Sequence, residues 1–164
     1  MKRGKIFNKG TSLIEAIIGV AIIGLTVVGS MTTFNLYIKS WQNNLSNIQS
    51  SYILNEGVEG VFLQRDLGWS TYVEGKADGV TKYYFSWDSG NNLWTLNTTP
   101  YQIDGKYDRY VIFSPVNRDA NDNIAVSGSN DPDTNMATVY VGWATNSGTT
   151  TKSAAIYLFN IFNE

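Results

Sequence analysis

Between Ala16 and Ile38 the chain runs for 23 residues without a charge, AIIGVAIIGLTVVGSMTTFNLYI, and no other stretch restricts the fold as much. As a helix rising about 1.5 Å per residue, it is long enough to cross a hydrocarbon core of roughly 30 Å. Ile, Val, Leu and Ala crowd its first half, whereas Thr26, Ser30, Thr32, Thr33 and Asn35 dilute the second. Those hydroxyls are compatible with a membrane helix, because each can bond a carbonyl of the preceding turn. Lys2, Arg3, Lys5 and Lys9 all precede Gly10. A basic start before an apolar stretch is the pattern that membrane insertion reads, and it holds the N-terminus in the cytoplasm.

Four of the twelve basic residues are used in that start, leaving eight against fourteen acidic residues from Thr11 onward. The distal part has no basic cluster to meet phosphates, which argues against nucleic acid as a partner. The 164 residues suffice for an anchor and one domain with a modest core. The chain lacks Cys, so disulfides and thiolate chemistry are excluded, and it lacks His, the commonest general base and metal ligand. No nucleophile is visibly paired with a carboxylate. The expectation is a protein that is not an enzyme and needs no cofactor.

Two ordinary accounts of the apolar run are a secretory signal peptide, cut after Ala21 or near Gly29–Ser30, and a plain uncut anchor. The run exceeds the usual signal-peptide core of about 7–15 residues. Glu15 argues against both accounts, since a carboxylate costs about 2.5 kcal/mol or more at the bilayer centre and less near its edge. Here the residues carry a resemblance. KGTSLIEAIIGVAIIG, Lys9 to Gly24, resembles the N-terminal signature of the type IV pilin and pseudopilin superfamily. The resemblance implies cleavage after Gly10 by a prepilin peptidase and methylation of the new amine on Thr11. It also implies that Glu15, fifth after the cut, is the family's assembly glutamate. Thr11 stands where the family usually carries Phe or Met. The first proline is Pro100, whereas major pilins often carry one within the helix. A neighbouring subunit's amine pairing with Glu15 inside an apolar filament core would set register. Removing one partner of such a buried pair costs on the order of 3–5 kcal/mol.

Beyond Lys39 apolar residues recur at spacings of three and four, Trp41, Leu45, Ile48 and Tyr52, then Val58 and Phe62, which predicts an amphipathic helix to about Arg65. Asn43, Asn44, Ser46, Asn47, Gln49, Ser50 and Ser51 fill the other face. Gly57 and Gly60 weaken its end. Val80–Trp87, Asn92–Leu96, Arg109–Phe113, Ala137–Trp143 and Ala154–Phe162 are rich in strand formers and separated by Gly, Asn, Asp and Ser. The last two read as a hairpin linked by Ala144 to Ser153. The expected fold class is α+β: a long N-terminal transmembrane and amphipathic helix packed on a small antiparallel sheet head. The expected organisation is a leader over 1–10, a membrane and assembly helix over 11–38, its amphipathic continuation over 39–66, and the head over 67–164. The segment Tyr52 to Trp69, with Glu56, Gly57, Arg65, Asp66 and Trp69, also resembles minor-pilin-type pilus modification or assembly proteins. So do the late VYVGW and IYLFN. Arg65–Asp66 reads equally as a local ion pair closing the helix.

Two acidic clusters, Asp119–Asn121–Asp122–Asn123 and Asp131–Asp133–Asn135, offer the oxygen ligands that Ca²⁺ takes, about six to eight of them. Neither carries the glycine or closing glutamate of an EF-hand. Asp, Asn and Pro132 are also ordinary turn formers, and a solvated turn is the preferred reading. The aromatics Trp69, Tyr72, Tyr83, Tyr84, Trp87, Trp94, Tyr101, Tyr107 and Tyr110 suggest either a carbohydrate or surface site, or simply core, where about half are expected. The functional expectation is a structural subunit of a type IV pilus-like or type II secretion filament. Its implied partners are a prepilin peptidase, other pilin subunits, an assembly ATPase with its platform protein, and the membrane. The competing expectation is a membrane-anchored binding module or adhesin that never polymerises.

Overall fold

Helix α1 runs from Lys9 to Leu67 without a break. The structure, a computed structural model, describes residues 9–145 and 148–162, with side chains from residue 13 onward. Lys2, Arg3 and Lys5 of the expected leader lie outside the described residues, as do the side chains of Lys9 and Thr11, and of Gly10 only the helical backbone is described. The chain divides into two units, the first ending at Ser46 and the second beginning at Asn47.

In the first unit α1 is apolar and uncovered. Its most apolar window has a mean hydropathy of 2.2 and none of it is buried. The hydroxyls behave as expected for such a helix. Thr26 Oγ1 donates to the Ile22 carbonyl at 2.8 Å, and Ser30, Thr32 and Thr33 likewise bond back one turn. Each of these four hydroxyls is thereby satisfied within the helix that carries it.

The second unit joins the rest of α1 to a short helix α2 (Trp69–Tyr72) and a seven-stranded antiparallel sheet. The strands are β1 (Tyr83–Asp88), β2 (Leu93–Asn97), β3 (Gln102–Ile103), β4 (Tyr107–Arg118), β5 (Ile124–Ala125), β6 (Ser129–Thr145) and β7 (Gly148–Phe159). Their order is β2-β1-β4-β6-β7, with β3 and β5 both paired to β4. Val111, Phe113, Ala137, Val139 and Leu158 project from one sheet face and are fully buried, with Val61 of α1 and Trp69 and Val73 beyond it. This is the expected α+β architecture, a long apolar N-terminal helix packed against a small antiparallel sheet.

The strands differ from expectation mainly in length. β4 continues past Phe113 to Arg118, and β6 begins at Ser129, so the segment containing Pro132 is strand rather than loop. A register shift between Pro115 and Val116 accommodates this, since Pro115 faces Asn135 while Val116 faces Asp131. Proline lacks an amide donor and fits at such a bulge. β7 starts at Gly148, and Thr149 to Ser153 pair with Ala144 to Tyr140, so most of the expected link is ladder. It stops at Phe159, leaving Ile161 and Phe162 exposed. β1 starts at Tyr83, because the Val80 and Thr81 amides donate to Asp78 Oδ1 instead.

The face of α1 that meets the sheet differs in part: Val58 and Phe62 pack on the core as expected. Trp41, Leu45, Ile48 and Tyr52 are exposed. The inward face is Ser50, Ile53, Leu54, Gly57, Val58, Val61 and Gln64, again at helical spacing but partly polar. Polar groups of the face expected to be solvated are used against the sheet. Tyr107 Oη donates to Gln49 Oε1 at 2.8 Å, and Lys152 Nζ donates to the Asn47 carbonyl and Ser51 Oγ. The glycines that weaken helix propensity here permit close approach. A Cβ at Gly57 would lie 2.7 Å from Val139 Cγ1, and one at Gly60 2.6 Å from Phe85 Cε1.

Candidate functional site

Glu15 is exposed in the first unit, among exposed Leu13, Ile14, Ile17 and Ile18. Among the described residues none pairs with its carboxylate. The large apolar side chains from Leu13 to Tyr37 are all more than half exposed. Monomeric soluble proteins do not leave so continuous an apolar surface open, and such a surface marks a membrane or protein contact. The helix thus presents one carboxylate on an apolar cylinder of membrane-spanning length.

In the second unit Arg65 forms the expected local pair, 2.7 Å from Asp66, and its guanidinium lies over the Phe62 ring. A stronger arrangement is not apparent from sequence. Arg109 alternates inward on β4 and is only 6% exposed. Its Nη1 donates to the Ile53 carbonyl at 3.2 Å and lies 3.1 Å from Glu56 Oε2, while its guanidinium sits over Phe85. A buried cation needs such partners. Gln64, fully buried, donates from Nε2 to the Trp94 carbonyl at 2.5 Å, joining α1 to β2. The inward alternation of Arg109 within YDRYVIF is the one signal that could have singled it out.

The acidic clusters are occupied by local bonds. Asp119 Oδ1 accepts the Asn121 and Asn123 amides, an ordinary turn. These bonds favour its ionised form and hold its carboxyl below the usual range. Asp131 Oδ2 accepts from Thr134 Oγ1 at 2.6 Å and from Arg118 Nε at 2.5 Å. The Thr134 and Arg118 bonds lower its pKa. Asp133 Oδ1 accepts from Asn160 Nδ2. Among the described residues no three acidic side chains converge as a metal site would require. The aromatics separate into two sets: Trp69, Tyr84 and Tyr107 are buried and Tyr72 and Tyr83 pack on the core, while Trp87 and Tyr101 are exposed.

No family model, curated protein or solved structure matches the chain. The class it falls in is therefore defined by its own architecture. It is pilin-like in form, with an apolar helix long enough to anchor it in a membrane and a β-sheet head packed on the helix's distal part.

Proposed function

We propose that this chain is a minor pilin or pseudopilin, a structural subunit that enters a type IV pilus-like filament through α1, with Glu15 setting the register. The observation that carries the proposal is the Glu15 carboxylate, unpaired among the described residues, on a helix whose surface from Ala16 to Ile38 is uncharged and uncovered. Lipid covers the apolar surface but gives the carboxylate no fixed partner. A bundle of identical helices covers both, provided each Glu15 meets a cation. Cleavage after Gly10 by a prepilin peptidase supplies that cation as the Thr11 amine of a neighbour. The assembly ATPase and platform protein draw subunits from the membrane, where the head stands outside and the leader in the cytoplasm.

Glu15→Ala removes the polar group, so membrane insertion stays at least as efficient. Incorporation falls, because the neighbour's amine enters an apolar core without its counter-charge. The measurement compares membrane and sheared-filament fractions of wild type and Glu15→Ala in a strain lacking the native gene. Equal incorporation at equal membrane levels overturns the registry role. It would favour the anchored, non-polymerising binding module, a reading supported by the exposed aromatics of the head.

A further inference from the structure

Two adjoining clefts open beside β1 and β2, and they share Phe85 and Trp94. The first, of about 320 Å³, lies between Trp94 and the α1 carboxylates Glu56 and Glu59, with Arg109 in its wall. The second, of about 370 Å³, runs past Trp87 and Tyr101, with Asn97 and Thr99 at its edge. Two exposed aromatics of the head, Trp87 and Tyr101, thus share one groove with the half-buried Trp94. Trp87 and Trp94 meet edge to face, 5.5 Å between ring centres, so they line it at different inclinations.

We infer that this groove binds a neutral oligosaccharide, with the two clefts as neighbouring subsites. Its chemistry favours that occupant over others. The C–H faces of a pyranose pack against indole and phenol rings, whose π-faces are electron-rich. Sugar hydroxyls both donate and accept, and the groove supplies both functions. Carboxylates and the Thr99 hydroxyl accept, whereas the Asn97 amide and Arg109 donate. Charge excludes acidic glycans and nucleic acid. Glu56 and Glu59 outnumber Arg109 in the first cleft, and among the described residues no other charged side chain lines either one. Gln64, by holding the Trp94 carbonyl from beneath, fixes that platform against α1.

The test uses the full chain in lipid nanodiscs, because glycoside detergents would compete for the groove. Tryptophan fluorescence is titrated with chitohexaose, cellohexaose, maltohexaose and mannohexaose, and separately with a sulfated heparin hexasaccharide and oligolysine. The expected result is saturable quenching by at least one neutral hexasaccharide with a Kd of about 1 mM or tighter. Trp87→Ala and Tyr101→Ala, both at exposed positions and so compatible with folding, should each weaken it about tenfold. Glu59→Gln should change it only a few-fold, since the amide keeps an acceptor while removing the charge. No saturable binding of any neutral sugar up to about 10 mM overturns the inference. So does binding that Trp87→Ala and Tyr101→Ala leave unchanged. Preferential binding of the sulfated sugar, or of oligolysine with strong loss in Glu59→Gln, also overturns it and assigns the groove to a charged partner.

Discussion

Replacing Gly57 by alanine sets two effects of known sign against each other. In an exposed helix interior the change stabilises, because glycine is about 0.8–1.0 kcal/mol worse than alanine there. At Gly57 the new methyl carbon would stand 2.7 Å from Val139 Cγ1 and 3.1 Å from Arg109 Cδ. Neither neighbour can yield easily. Val139 is fully buried on β6, between β4 and β7, and its β-branched side chain has few rotamers to try. Arg109 is held by the Ile53 carbonyl and Glu56, so displacing it loosens the bonds of a buried cation. Overpacking of this kind costs about 1–3 kcal/mol, and strain on the Arg109 contacts places Gly57→Ala in the upper part of that range. The propensity gain offsets roughly a third to a half, leaving a net loss of about 1–2 kcal/mol. For a unit of this size the melting temperature should fall by about 3–8 °C. Near-ultraviolet circular dichroism of the full chain in nanodiscs follows the head's aromatics through that transition. Gly24→Ala, where nothing lies within 4 Å, is the control and should leave the head's melting unchanged. An equal or higher melting temperature for Gly57→Ala would refute the idea that close approach of helix and sheet requires this glycine.

Asp78 tests the link between a loop and acid stability. Hydrogen bonds from the Thr81 hydroxyl and the Thr81 and Val80 amides lower its pKa from 3.8 to about 2. The folded state therefore binds the proton more weakly than the unfolded chain, and the stabilisation is complete above 3.8 and lost as pH falls through about 2. Chemical denaturation of Asp78→Asn should show a shallower loss of stability than wild type across that interval, and identical slopes would contradict the assignment. Gly10→Ala should block or sharply slow leader removal, read by intact mass and N-terminal sequencing. Wild-type protein beginning after Ala21, or only full-length chain where prepilin peptidase is active, would exclude the processing scheme. Protease added to intact spheroplasts should digest the head; protection until lysis would reverse the topology.

The apolar helix of membrane-spanning length was legible because it depends on composition along one dimension. An uncharged run of 23 residues with a basic start and Glu15 at its mouth needs no partner to be recognised. The helix extent and the strand-rich head were legible for a similar reason, since periodicity and branched or aromatic residues report local backbone preference. Which side of α1 meets the sheet was not. Hydrophobicity pointed rightly to Val58 and Phe62 but also to Trp41, Leu45, Ile48 and Tyr52, which stay exposed, while Ser50, Gly57, Val61 and Gln64 meet the sheet. Small side chains let helix and sheet approach, while Gln49 accepts from Tyr107, Lys152 donates to the Asn47 carbonyl and Ser51, and Gln64 donates to the Trp94 carbonyl, partners between 30 and 105 residues away. The full lengths of β4 and β6 were hidden because prolines and acidic residues are tolerated at a bulge that exists only once the two strands pair. The groove was illegible for the same reason. Nine aromatics were equivalent in sequence, and tertiary packing put most of them in or against the core while bringing Trp87, Trp94 and Tyr101 together at one edge of the sheet. Local pattern is a property of the chain alone, whereas burial and convergence are properties of the surface it is folded against.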